Sequence, residues 1–172
     1  MRPCLFVPMA LLLAASLPAA ANEPAAASEP AANAELVLTD RQTFLLPIDD
    51  AGNRAPEYPA AVLAQQQGGA RAICMRVDID TEGAVSYAGP IVRESDCPPI
   101  TELTKQFVDA SEAAMREWRF EPAVVCNFRS KRAKEAAGMS CQGGKEEPQS
   151  TTLTFRLLFD QVDGKGAVRM QR

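Results

Sequence analysis

The sequence contains no histidine, and this absence excludes several kinds of active site at once. Histidine is the usual general base near neutral pH, and Ser-His-Asp triads, Cys-His pairs and His-containing zinc motifs all require it. C-x-x-C spacing is absent too, which argues against a zinc ribbon or a thioredoxin-type redox site. Three acids occupy alternate positions, Asp78, Asp80 and Glu82, and they are better explained as part of an exposed hairpin than as a catalytic group. We therefore predict a non-catalytic protein without a cofactor or a bound metal.

Basic residues are too few for a general nucleic-acid binder. The chain has 18 Lys and Arg against 22 Asp and Glu, a net charge of −4, and no basic stripe interleaved with aromatic residues. Aromatic residues make up only 6% of the 172 residues, but 47% are hydrophobic, which suits one globular domain with a real core. The composition therefore argues against a nucleic-acid partner, and because the chain lacks a nucleophile-base pair we expect no small-molecule substrate.

The first 21 residues have the features of an export signal. Arg2 precedes an uncharged run over residues 3–17, and three alanines at 19–21 form an A-x-A cleavage site. Cleavage there predicts a periplasmic mature chain that begins at Asn22. The alternative is an uncleaved inner-membrane anchor, because the uncharged run approaches the ~20 residues that a membrane helix needs. Pro8 and Pro18 favour cleavage.

Removal of the signal takes Cys4 with it and leaves four cysteines. An exported protein meets an oxidising compartment, so we expect two disulfides, with buried free thiols as the alternative. Four cysteines allow three pairings, and spacing excludes none of them. We predict that Cys126 and Cys141 pair, closing a long basic loop, and that Cys74 and Cys97 join the first strand to the start of the long helix.

The chain divides into a tether and a domain. Residues 22–55 are predicted as a tether, because Ala, Glu, Pro and Ser dominate its first part. Within it, residues 35–48 contain two apolar clusters that fit accessory strands, a cover for a sheet edge, or a segment that docks on a partner. The domain proper is predicted over residues 56–160, beginning with a short helix at 60–67.

The domain pattern is strand, strand, long helix, strand. Residues 73–79 alternate, Asp80 to Gly83 fit a tight turn, and residues 84–92 return as an edge or bulged strand because of Pro90. An apolar stripe at helical spacing predicts a long helix that Pro122 ends, with these stripe residues: Ile100, Leu103, Phe107, Ala110, Ala114 and Trp118. Trp118 is expected to be a core residue.

The rest of the chain completes the predicted sheet. The basic connection at 126–149 is an anion-binding patch or a solvated loop, and we favour the loop. Residues 151–160 alternate clearly and predict the last strand, and residues 161–172 are predicted to be a flexible tail. The fold class is thus α+β: a two-layer domain with a short helix and then β-β-α-β, its long helix packed on a small antiparallel sheet.

Four short stretches resemble the C-terminal domain of the TonB family. The first is Tyr58-Pro59, and the second is the segment 77–85, which begins with Val77-Asp78 and ends with Gly83-Ala84-Val85. The third is the Trp-Arg-Phe-x-Pro-Ala run at 118–123, and the fourth is the final strand at 153–157. The resemblance covers about residues 56–160 and has the family order. Its structural signature in this chain is Tyr58, Pro59, Gly83, Trp118, Phe120 and Pro122. The resemblance implies a domain that binds a peptide of an outer-membrane TonB-dependent receptor, or another envelope protein, by strand addition.

The final strand is the predicted binding surface. Because the tail after it is polar and glycine-rich, one edge of the strand is expected to lack a partner within the domain. We predict that a peptide pairs with that edge, flanked by the side chains of Thr152, Thr154 and Arg156. The alternative is a periplasmic interaction or scaffold module without a transport role.

Overall fold

Alternating apolar residues on two long strands build the core of the structure. The computed structural model describes residues 36–65, 69–92 and 96–172, so the predicted signal and the first part of the tether lie outside the described residues. Residues from Val37 onward form one unit. No helix in the described ranges is long and apolar enough to cross a membrane.

The described residues form nine strands and three helices. In chain order these are β1 (Gln42–Leu45), β2 (Ile48–Asp49), α1 (Ala60–Ala64), β3 (Arg71–Ile79), β4 (Val85–Pro90), α2 (Glu102–Arg116), β5 (Phe120–Glu121), β6 (Ala123–Asn127), α3 (Lys131–Ala137), β7 (Lys145–Gln149), β8 (Thr151–Val162) and β9 (Lys165–Gln171).

The largest sheet has four antiparallel strands in the order β4-β3-β8-β9. Cross-strand pairs such as Met75 with Phe155 and Ile73 with Leu157 put apolar side chains on one face, where they are buried. The alternate positions of β8, including Thr152 and Thr154, are exposed on the other face. As Pro90 predicts, β4 lies at an edge, and its irregularity falls at the turn end of β3 rather than at the proline.

The long helix α2 packs on β3 and β4, and the predicted stripe describes only part of its buried face, namely Phe107. The buried residues are Thr104, Phe107, Val108, Ser111 and Met115. Leu103 is exposed instead, and the helix ends at Arg116, before Trp118. The prediction overlooked the polar residues of this face, which the structure satisfies locally. The Ser111 hydroxyl donates to the carbonyl of Phe107, and Thr104 takes part in the capping box at Thr101.

Of the two apolar clusters near the N-terminus, only the second forms strands, β1 and β2, which belong to two smaller sheets, β1-β6-β7 and β2-β5. The first cluster, residues 36–38, is irregular and exposed. β1 pairs with β6, and β2 pairs with β5, both antiparallel. The two ladders have the same register, and Pro47 and Pro122 lie between them. β6 also pairs with β7. The accessory strands that the sequence predicts are therefore present, but they pair with β5 and β6 and do not cover an edge of β8. The ordered unit consequently begins well before residue 56, inside the range predicted as tether.

The basic connection is not a single loop, contrary to the prediction. It contains the short helix α3 and the strand β7, and Cys126 and Cys141 are disulfide-bonded across it. Ser130 caps α3 by accepting a hydrogen bond from the amide of Ala133, and Gly138 ends the helix at a φ of 61°.

The C-terminal residues are a strand and not a flexible tail. Asp163 and Gly164 both have positive φ, 51° and 72°, which makes a two-residue hairpin turn that returns the chain beside β8 as β9. Gly166 then permits a close approach, because a Cβ there would lie 2.3 Å from the Cβ of Tyr58. The two glycines that suggested a loose tail are thus the residues that the hairpin and its packing require. The whole is a mixed α+β structure with small antiparallel sheets and a few helices.

Candidate functional site

Three of the resemblance residues meet at the end of the β3–β4 hairpin. Gly83 has a φ of 82°, and a Cβ at this position would lie 1.9 Å from the carbonyl oxygen of Phe120 and 3.5 Å from Cδ of Pro122. The amide of Phe120 donates to the carbonyl of Gly83. Residues far apart in sequence therefore form one tight joint between the hairpin turn and the chain that leaves α2. Their role here is structural.

Trp118 belongs to the same joint and is a core residue. It is 3% exposed, and its ring contacts Phe155 edge-on at a centroid distance of 5.2 Å. Its indole nitrogen donates to the carbonyl of Arg54 at 2.8 Å, which satisfies the polar atom that burial would otherwise leave unpaired. This contact fixes the segment between β2 and α1 against the core.

Tyr58 and Pro59 anchor the opposite end of the four-stranded sheet. The Tyr58 ring lies edge-on to Phe107 at 5.3 Å and to Phe159 at 6.1 Å, and its base covers Gly166 of β9. Pro59 is the residue that precedes α1, where its missing amide removes no helical hydrogen bond. The Tyr-Pro pair thus joins α1, α2 and β9.

The direction of the backbone groups of β8 follows from one hydrogen bond on the neighbouring strand. The amide of Ile91 donates to the carbonyl of Cys74, so Cys74 turns its backbone groups away from β8. In an antiparallel ladder this direction alternates, and Arg76 and Asp78 turn the same way. Their partners on β8 are Thr154 and Thr152. These two threonines must therefore turn their N–H and C=O groups away from β3, toward the second edge of β8.

That second edge is covered along only part of its length. β9 pairs with β8 from Arg156 to Val162, and within the described ranges no strand pairs with the second edge of Thr151–Phe155. Among the described strands none pairs with this edge at Thr152 and Thr154, whereas Arg156 faces Gln171 of β9, so the open edge predicted there is wrong. The error has a simple origin, since the Asp-Gly turn at 163–164 was not recognised as a hairpin.

A polar cluster beside this edge was missed in the sequence. Arg76 donates two hydrogen bonds of 2.8 Å to the carboxylate of Asp78, and the Thr152 hydroxyl donates to the same carboxylate at 2.7 Å. The hydrogen bonds that the Asp78 carboxylate accepts from Arg76 raise the pKa of Arg76. The guanidinium also lies 5.9 Å from the centre of the Tyr87 ring, which is 45% exposed. Alternation of Arg76 and Asp78 along one strand was the available signal.

Both predicted disulfides are confirmed. Cys74 and Cys97 are bonded with a Cα–Cα distance of 5.6 Å, and Cys126 and Cys141 with one of 5.3 Å. The first bond ties β3 to the segment before α2, and the second ties the end of β6 to the segment after α3. Among the residues that the structure describes, no three His, Cys, Asp or Glu side chains are placed to hold a metal ion.

Fold and site together define a disulfide-linked α+β domain with a short open strand edge. Comparison with models of known families, with curated proteins and with solved structures finds no match for this chain.

Proposed function

We propose that this chain is a periplasmic TonB-like protein that binds a peptide of an outer-membrane receptor by strand addition, in support of transmembrane transport. The observation that carries the proposal is the second edge of β8 at Thr151–Phe155, where Thr152 and Thr154 present backbone groups and no strand of the described residues pairs with them. Such an edge pairs readily with an extended chain.

The arrangement of the resemblance residues supports the same proposal. The elements β3, β4, α2 and β8 follow one another in the strand-strand-helix-strand order that the resemblance implies, with β5, β6, α3 and β7 between α2 and β8. Gly83, Phe120 and Pro122 contact one another, and Trp118 packs on Phe155 of the proposed binding strand. The motif residues therefore hold β8 in place, which is a reason for them to occur together.

The free edge is short, and this limits the affinity it provides by itself. Thr152 and Thr154 each offer one donor and one acceptor, and a backbone hydrogen bond contributes about 0.5–1.5 kcal/mol net. Selectivity would come from side chains on the exposed face, namely Thr152, Thr154 and Arg156, next to the Arg76–Asp78 pair. We infer a peptide of about five residues in extended conformation at this site, since the free length is Thr151–Phe155.

A scaffold module without a transport role is the second candidate. The observation that favours it is β9, which occupies the edge of β8 from Arg156 onward and leaves little of it for a partner. The two candidates differ in what they bind, because only the first requires a receptor peptide.

The first experiment captures partners from the envelope with the exported protein and identifies them by mass spectrometry. Peptides from the periplasmic segments of any captured outer-membrane receptor are then titrated by fluorescence anisotropy. The transport proposal expects a receptor among the partners and a peptide that binds. Capture of other envelope proteins alone, with no binding by receptor peptides, would replace it with the scaffold candidate.

The second experiment tests the edge itself. Thr154→Pro removes a backbone donor that faces outward, so the ladder with β3 keeps its hydrogen bonds while the peptide loses one. We expect Thr154→Pro to weaken peptide binding by about tenfold, as the loss of roughly one hydrogen bond implies, and Thr154→Ala to change it little. Circular dichroism and the thermal midpoint establish that each variant is folded. Equal binding by the two folded variants would exclude this edge.

A further inference from the structure

The region between β6 and β7 has features that the proposed function does not explain. We define the basic lobe as residues 129–141, which contain α3. Four of the 18 Lys and Arg of the chain lie in six consecutive positions of it, at Arg129, Lys131, Arg132 and Lys134. Glu135 is the one acid of the lobe, so its net charge is +3 in a chain whose total is −4.

The lobe does not contribute to the core. No residue of α3 is buried, and Met139, just after the helix, is 83% exposed. Ala133, Lys134 and Ala137 are half-buried on one side of α3, but a helix of seven residues with so little buried surface is unstable in water by itself. It therefore depends on its Ser130 cap and on the disulfide between Cys126 and Cys141. A covalent bond thus holds in place an element with no fully buried residue, which indicates that its outer surface is used.

The charges of the lobe are placed against local stability. Lys131 and Arg132 lie in the first turn of α3, where the positive end of the helix dipole disfavours cations, and that turn contains no acid. Within the part of the chain that the structure describes, no ion pair neutralises the four basic side chains. Glu147 on the neighbouring β7 accepts from Asn127 and not from the lobe. Residues that oppose local preference without compensation mark a functional surface more often than a structural one.

We propose that the basic lobe is a docking surface for an anionic phospholipid bilayer. The unpaired cations match headgroup phosphates, and an exposed methionine beside them suits the apolar boundary below the headgroups. No residue of α3 is fully buried and the lobe encloses no space, which fits a flat, extended surface better than a small anion that must be enclosed. The lobe would hold the domain at the membrane without a spanning helix.

Vesicle binding of the full chain, as purified from its exported form, tests this proposal. The probes are vesicles of phosphatidylcholine alone and of phosphatidylcholine mixed with phosphatidylglycerol, and the measurement is co-sedimentation at low and high salt. We expect binding to the mixed vesicles only, reduced by salt. Each basic residue near an anionic surface contributes about fivefold to partitioning, so Lys131→Gln with Arg132→Gln should weaken binding about 30-fold.

The control is Lys165→Gln with Arg169→Gln, which removes two exposed cations from β9, one of them Arg169 with its ion pair to Asp160 at 3.8 Å, and leaves the lobe intact. Binding of this control should stay within about twofold of the unaltered chain, because the proposal places no contact at β9. Equal losses in the two double variants would show a general charge effect and overturn the proposal. Both variants should keep the thermal midpoint of the parent, since neither removes a buried side chain.

Met139→Ser separates a bilayer from an acidic protein. The substitution should weaken vesicle binding several-fold and leave binding to polyglutamate unchanged, because only the bilayer offers an apolar boundary. No binding to the mixed vesicles would overturn the bilayer proposal. Tighter binding to polyglutamate than to the vesicles would also overturn it, and would indicate an acidic protein as the partner instead.

Discussion

Single residues show how the chain joins its elements, and Trp118 is the clearest case. The lone tryptophan is buried between Phe120 and Phe155 and donates a hydrogen bond to the carbonyl of Arg54. It therefore contributes both apolar contact and a satisfied polar atom in the same place. A side chain with these contacts belongs to the core and is not available to a ligand.

Trp118→Ala should lower the free energy of unfolding by about 3 to 5 kcal/mol, because truncation leaves a large cavity beside Phe155. Trp118→Phe keeps much of the ring and loses the hydrogen bond to Arg54, so its cost should be smaller, about 1 to 3 kcal/mol. Chemical denaturation followed by circular dichroism measures both. An unchanged midpoint for the alanine variant would contradict the burial of this side chain.

At the scale of elements, the hairpin of β3 and β4 is held to the end of α2 by close backbone contact. The Asp80 carboxylate accepts from the amides of Glu82 and Ala84, and Gly83 adopts a positive φ against Phe120. This contact leaves no space for a side chain at Gly83. The turn is therefore specified twice, by its local hydrogen bonds and by its neighbour.

Gly83→Ala should destabilise the protein by about 3 kcal/mol or more, since strained φ and a steric clash with backbone add together. Gly143→Ala is the matched control, because Gly143 also has a positive φ, 79°, but nothing lies within 4 Å of its Cβ position. The control should cost about 1 kcal/mol. Similar losses of stability in the two variants, measured by thermal denaturation, would argue against the tight joint with Phe120.

At the scale of the whole molecule, β9 connects the two ends of the described chain. Arg172, just after β9, donates to the carbonyl of Pro47 and pairs with the carboxylate of Asp49 at 3.1 Å. Tyr58 packs over Gly166 at the other end of the strand. The C-terminal strand thus completes the four-stranded sheet and contacts the segment around β2.

Gly166→Val should displace β9 or Tyr58 and lower stability by about 1 to 3 kcal/mol through overpacking. Gly164→Ala provides the comparison, because open space surrounds its Cβ position and only its φ of 72° is unfavourable, at about 1 kcal/mol. Hydrogen exchange of the β9 amides reports the displacement directly. Unchanged protection in the valine variant would mean that Tyr58 does not depend on this close approach.

The sequence by itself determined the features that depend on neighbours along the chain. The alternation of β3 and β8, the turn at Gly83 and the start of α1 after Tyr58-Pro59 follow from local periodicity and turn chemistry. The disulfide pairing was also predicted correctly, although spacing left three possibilities open.

Tertiary structure decided which strands pair and which edge stays free. β1 and β6 are separated by about eighty positions, and no local pattern indicates that β1 pairs with β6 rather than with β8. The buried face of α2 includes Thr104 and Ser111, whose polar groups are satisfied by helix backbone and cap, so hydrophobicity alone identified Phe107 but not the whole face. Which residues of β8 face β9 is set by the register of the hairpin, which pairs Arg156–Val162 with Lys165–Gln171, and that pairing appears only in the tertiary structure.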